Sequence, residues 1–134
     1  ESLFAMRDEL LAKLAKAAEG SIFEPDGSPE SLKALEAWYF ELHEAGFGWR
    51  PFRKRPIARD TLHAAIGMYV GEVHVRSGGF EWIVEEFFGK PGTYEIGVKK
   101  SLHNIMLGPV TDLAARSGNK RRQSLWREFK KNAS

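Results

Sequence analysis

The sequence predicts an α+β domain: three N-terminal helices, the third central and buried, then a small antiparallel three-stranded sheet, then C-terminal helices. Three observations predict it. Apolar residues recur at helical spacing through the first half of the chain. Two stretches with alternating pattern and many aromatic and branched residues follow at 80–88 and 93–100, separated by the turn-forming Gly89-Lys90-Pro91-Gly92. Helical spacing then returns near the end of the chain. A length of 134 residues predicts a single domain over 1–134, long enough to bury a core without disulfides.

The elements follow in order. In SLFAMRDELLAKLAKAAE (2–19), Phe4, Leu11, Leu14 and Ala18 share a helix face. Gly20 is the expected left-handed stop, with Ile22 packing back onto the helix. In FEPDGSPES, Ser28 is the expected cap and Pro29 suits the first helical position. The second helix places Leu32, Leu35, Trp38, Tyr39 and Leu42 on one face and ends at Gly46. A loop, FGWRPFRKRP (47–56), leads to a third helix starting near Arg59 or Asp60 and running to about Arg76, where Ser77-Gly78-Gly79 stops it. The strands 80–88 and 93–100 form a hairpin, and LHNIML (102–107) is the expected third strand. VTDLAAR (110–116) starts a short helix, and NKRRQSLWREFKK (119–131) forms the last, with Leu125, Trp126 and Phe129 on its apolar side. The chain shows no internal repeat or low-complexity tract.

The third helix is unusual. At 100° per residue, Leu62, Ile66, Tyr69 and Val73 form one stripe, and Ala64, Gly67, Met68, Gly71 and Val75 occupy the opposite side. A helix apolar all round is a buried one. Its glycines each cost about 1 kcal/mol relative to alanine, offset where another element packs against the bare backbone. Glu72 lies between the stripe and the small-residue side, so it is expected to be a buried polar residue. A buried carboxylate needs a partner: an arginine, an indole N–H from Trp38, Trp49 or Trp82, or backbone amides. Glu72 is then either a structural anchor or, in a small enzyme, a general acid or base with a tuned pKa. No second catalytic group stands beside it in the sequence, which favours the anchor.

Other chemistries leave no trace. Without cysteine there are no disulfides, thiolate nucleophiles or Cys-based zinc sites. His63 and His74 share a helix face but are separated by roughly 16 Å, too far for one metal. His43 and His103 have no ligand-like companions nearby in sequence. Phosphate-loop, nucleophile-elbow and zincin motifs are absent. Glu85 and Glu86 are adjacent in a strand, so they point to opposite faces. No metal and no cofactor are expected. No apolar run reaches the length of a membrane span.

The net charge of +2 conceals a strong asymmetry: −6 over 1–49, +5 over 50–59, −3 over 60–115 and +6 over 116–134. The first basic cluster holds Arg50, Arg53, Lys54, Arg55 and Arg59 interleaved with Trp49 and Phe52. The second holds Arg116, Lys120, Arg121, Arg122, Arg127, Lys130 and Lys131. Cations beside aromatics suit nucleic acid, by phosphate neutralisation and base stacking. They suit an acidic protein surface equally well.

The segments DGSPESLKALEAW, AAIGMYVGEVHVRSGGFEW and KSLHNIMLGPVTDLAARSGNKRRQSLWREF resemble those of a family of small uncharacterised bacterial domains. That family combines an Asp-Gly-Ser segment leading into a helix with a Gly-x-Tyr-x-Gly-Glu helix and a tryptophan strand. The matching residues are Asp26, Gly27, Ser28, Gly67, Tyr69, Gly71, Glu72 and Trp82. The resemblance covers most of 21–130 and implies a bacterial cytoplasmic α+β domain. It carries no established activity, so it transfers no catalytic residue.

The expected function is therefore a non-catalytic protein-binding module, of the immunity or adaptor type by analogy with other small bacterial domains. Its expected contacts are Trp49, Arg50, Phe52, Arg53, Arg55, Arg121, Arg122 and Arg127, facing a partner with an acidic surface. The alternatives are a nucleic-acid-binding protein using clusters 50–59 and 116–131, and a small enzyme using Glu72.

Overall fold

A computed structural model describes residues 2–44, 59–86, 90–101, 103–106 and 124–133. The helices are α1 (Ser2–Ala17), α2 (Ser31–Glu44), α3 (Arg59–Gly78) and α4 (Ser124–Ala133); the strands are β1 (Glu81–Glu86), β2 (Tyr94–Lys100) and β3 (His103–Met106). All strand pairings are antiparallel, in the order β1-β2-β3.

Helix α1 stops where the Ser21 amide donates to the Ala18 carbonyl, 2.9 Å, around Gly20 at φ +77°. The residue that packs back is not Ile22, which is 59% exposed, but Phe23, which is buried. Phe23 stacks on Trp38 at 5.7 Å between centroids and meets Tyr69 edge-on at 5.1 Å. The chain then enters α2 through a tight turn. The Ser31 amide donates both to Ser28 Oγ, 3.2 Å, and to the Ser28 carbonyl, 3.1 Å. Ser28 thus caps one of the amides that a helix start leaves without an intrahelical partner.

Helix α3 is buried along almost its whole length. Leu62, Ala65, Ile66, Met68, Tyr69, Val70, Val73 and His74 are all buried, as are Gly67 and Gly71. Its stripe joins Leu14 of α1, Leu32, Leu35 and Tyr39 of α2, and Leu125 and Phe129 of α4 in one core. Each fully buried Leu, Ile or Val contributes about 1.5–3 kcal/mol relative to exposure, which outweighs the cost of the helix glycines. Another side carries Met68 against Ile96 of β2, with Phe4, Leu10, Leu11 and Trp82 packed round them. Arg7 of α1 spans this seam, its guanidinium carbon 4.9 Å from the centroids of both Phe4 and Trp82.

The expected architecture needs correction at the sheet. The sheet is not an even three-stranded meander. Its body is the two-stranded antiparallel ribbon β1–β2, paired from Glu81↔Lys99 to Glu86↔Tyr94, while the third extended segment adds only His103–Met106 at one end of β2. The ribbon's inner face, where Trp82 opposes Val98 and Val84 opposes Ile96, lies on α1 and α3. A two-stranded ribbon is marginal alone, and helix packing supplies what a full third strand would. Helix α4 returns from the end of the chain to pack on α2 and α3. It is the one C-terminal helix among the described residues, and the expected helix at 110–116 lies outside them.

Candidate functional site

Glu72 is half-buried, not buried. The small side of α3 is covered, as buried Gly67 and Gly71 show, but the cover does not extend over position 72. The buried carboxylate is Glu36 of α2, 2% exposed. Its Oε1 accepts the Leu125 amide at 2.8 Å, so a side chain of α2 caps the first turn of α4 across 89 residues of sequence. A carboxylate there meets both an orphan N–H and the positive end of the helix dipole. Glu36 was discoverable: it lies four residues after Leu32 and three before Tyr39, a charged residue on the helix's apolar face.

Four of the residues that carry the family resemblance, Asp26, Gly27, Ser28 and Tyr69, converge at one junction. The Gly27 amide donates to the Tyr69 oxygen at 3.0 Å, and Tyr69 Oη lies 2.6 Å from Ser31 Oγ. Ser31 Oγ also lies 2.6 Å from the Ser28 carbonyl, which can only accept. The proton positions follow: Ser31 donates to Ser28, Tyr69 donates to Ser31, and Gly27 donates to Tyr69. Ser77 Oγ donates to the Gly27 carbonyl at 3.1 Å, closing the junction from the end of α3. Burial pushes the Tyr69 hydroxyl above the ordinary phenol range, and the Asp26 charge adds to it against the opposing hydrogen bonds of Ser31 and Gly27. Asp26 is held below the usual carboxylate value, first by the Ser28 hydroxyl and then by the Ser28 amide. A neutral phenol whose hydroxyl already donates once and accepts once is poorly placed for proton transfer. The junction fixes the start of α2 against α3.

A different surface is built on α4. Leu125 and Phe129 sink into the core, leaving Arg127, Lys130 and Lys131 exposed. Trp126 is half-buried between two cations: Lys33 Nζ of α2 at 4.1 Å and Lys130 Nζ at 5.9 Å from ring centroids. Lys33 also pairs with Glu30 at 3.1 Å, which holds the Glu30 carboxyl below its usual range. The Trp126 indole N–H also favours the Glu30 charge, although it lies outside hydrogen-bonding geometry.

The model of the family described as "Uncharacterised protein YwmA" matches residues 2–133. The chain belongs to the YwmA family. No curated protein and no solved structure matches it.

In this YwmA-family chain the expected contact residues divide sharply. Arg127 is exposed on α4. Trp49, Arg50, Phe52, Arg53, Arg55, Arg121 and Arg122 lie outside the described residues. Among the histidines, His63 Nε2 lies 3.0 Å from the Tyr39 hydroxyl, and His74 is buried and bonded through both ring nitrogens. Among the described residues no group of three His, Cys, Asp or Glu is placed to hold a metal ion, and no helix is long and apolar enough to cross a membrane.

Proposed function

We propose that this chain is a non-catalytic binding module of the bacterial cytoplasm, of the immunity or adaptor type, which grips an acidic protein through the basic face of α4. The observation that carries the reading is the setting of Trp126, half-buried between Lys33 and Lys130 with Arg127 exposed on the same helix. An aromatic anchored in the core and flanked by cations has the composition of an interface anchor. A positive surround steers and selects an acidic partner. The polar groups of the core support the same reading, since Tyr69, Ser31 and Glu36 all hold helices together. The basic residues Arg50, Arg53, Arg55, Arg121 and Arg122, with Trp49 and Phe52, belong to the same proposal.

The test compares the wild-type chain with an Arg127→Glu/Lys130→Glu variant, each immobilised and exposed to bacterial lysate with and without nuclease. Surface changes of this kind alter folding stability by only about 0.5 kcal/mol, so melting temperature serves as the control. The expected result is an acidic protein that survives nuclease treatment and is retained about tenfold less by the variant. Equal retention by both removes the α4 face from consideration. Capture that disappears with nuclease transfers the reading to nucleic acid.

A further inference from the structure

Glu30, at the entrance to α2, is a carboxylate already seated on the proposed binding face. Its Oε1 lies 3.1 Å from Lys33 Nζ, and the same ammonium lies 4.1 Å from the centroid of the Trp126 ring. The Glu30 and Lys33 side chains are 69% and 35% exposed, so solvent screens their pairing and leaves it weak. The Trp126 indole N–H is in the opposite position: it is buried and has no acceptor among the described residues. An indole nitrogen only donates, so an acceptor brought to it gains a hydrogen bond that the free protein lacks. Glu30 stands beside this N–H, its carboxyl held low first by Lys33 and further by the indole, but it does not complete the bond. Its backbone is fixed in the first turn of α2, where the Glu30 carbonyl accepts the Lys33 amide at 3.1 Å.

We propose that Glu30 is a built-in competitor for an acidic side chain of the partner: the partner's carboxylate displaces Glu30 from Lys33 and accepts the Trp126 indole N–H. The inference rests on the α4 reading above and adds to it the group that is recognised and the residue that limits affinity. A carboxylate fits because it has two acceptor oxygens, one for the ammonium and one for the indole. Displacing Glu30 costs little, since an exposed i,i+3 pair is worth little. The arriving carboxylate regains the Lys33 contact and adds a charge-assisted hydrogen bond that Glu30 does not make. Around the site, α4 contributes Arg127, Lys130 and Lys131 against Glu128, and Glu36 of α2 is committed to the Leu125 amide.

Titration of the whole chain with a hexaglutamate peptide at low ionic strength, followed by the indole N–H resonances of isotope-labelled protein, tests the competition. Trp126→Phe assigns the Trp126 resonance, and the buried Trp38 is the reference. The expected result is a downfield movement of the Trp126 indole proton while Trp38 stays level. Glu30→Gln is expected to lower the half-saturation concentration read at Trp126 by about threefold, the scale of one exposed ion pair. That gain is expected to vanish in the Lys33→Gln background, where a general effect of removing negative charge would persist. The proposal is overturned if the peptide leaves the Trp126 indole unmoved, if Glu30→Gln leaves half-saturation unchanged, or if the gain survives without Lys33. The α4 reading is decided separately by lysate retention on Arg127→Glu/Lys130→Glu. Lost retention there with a silent Trp126 indole sinks the competition alone.

Discussion

Replacing Tyr69 with phenylalanine removes one oxygen from the centre of the junction between α2 and α3. The ring keeps its place against Phe23, so packing is nearly unchanged. Two hydrogen bonds go: the one received from the Gly27 amide at 3.0 Å and the one given to Ser31 Oγ at 2.6 Å. Ser31 still donates to the Ser28 carbonyl, but the Gly27 amide, in a buried residue, is left without an acceptor. An orphaned buried donor costs about 1–3 kcal/mol, and a lost neutral hydrogen bond about 0.5–1.5 kcal/mol. Sparing the phenol its burial offsets part of this, so the net expected loss is about 1.5–3 kcal/mol. Urea unfolding measures it as a lower midpoint at unchanged slope. Ser31→Ala breaks the same chain, so a double-mutant cycle with Tyr69→Phe should show at least about 0.5 kcal/mol of coupling. Alkaline pH gives a second readout. Because Tyr69's folded-state value is raised, the folded protein holds the proton where the unfolded chain has released it. That contribution is fully present below about pH 10 and lost as pH rises through the folded value. The phenylalanine variant should therefore lose less stability than wild type above pH 10. A loss under about 0.5 kcal/mol at neutral pH, with no coupling to Ser31, would refute the proton chain.

Two further outcomes follow from local geometry. Gly27 and Gly20 share nearly the same backbone, φ +80° and +77°, but a Cβ at Gly27 would collide with the Arg76 guanidinium while one at Gly20 meets nothing within 4 Å. Alanine at either should cost about 1–2 kcal/mol from the left-handed backbone; thermal melts of both variants should show the larger drop for Gly27→Ala, and the difference measures what displacing Arg76 costs. Glu36→Gln keeps an oxygen for the Leu125 amide but removes the charge from the helix start, so the loss should be about 0.5–2 kcal/mol, whereas Glu36→Ala removes the cap and should lose more in the same denaturation assay.

Much of the fold was legible because burial leaves a periodic mark. Helix α3 is apolar at nearly every angle, and only an element covered on several sides tolerates that. Trp82, Val84, Ile96 and Val98 alternate, and the register sets them on one face of the ribbon. The errors arose where a neighbour, not a period, decides. Ile22 and Phe23 are both apolar and adjacent, so one must face away. The partner rings of Trp38 and Tyr69 select Phe23. Glu72 and Glu36 present the same problem with charge. Both lie on helices with apolar surroundings in sequence, but only Glu36 meets an orphan amide, and that amide belongs to Leu125.

The polar ties of this fold share a property that explains why the sequence concealed them. Gly27 and Ser31 meet Tyr69, Glu36 meets Leu125, and His74 meets Asn132, over separations of 42, 38, 89 and 58 residues. Every one lies at or near a helix end, where backbone groups lack partners or where a helix must be anchored to its neighbour. Two of the ties converge on α4, one at each end, and α4 is also the helix whose outer face carries Arg127, Lys130 and Lys131. A ten-residue helix is too short to be stable by itself in water. Its basic face is therefore presented only while Leu125, Phe129 and those two ties hold it against α2 and α3. If α4 recognises a partner as proposed, recognition depends on its docking, and changing Glu36 or His74 should reduce retention of that partner without either residue touching it.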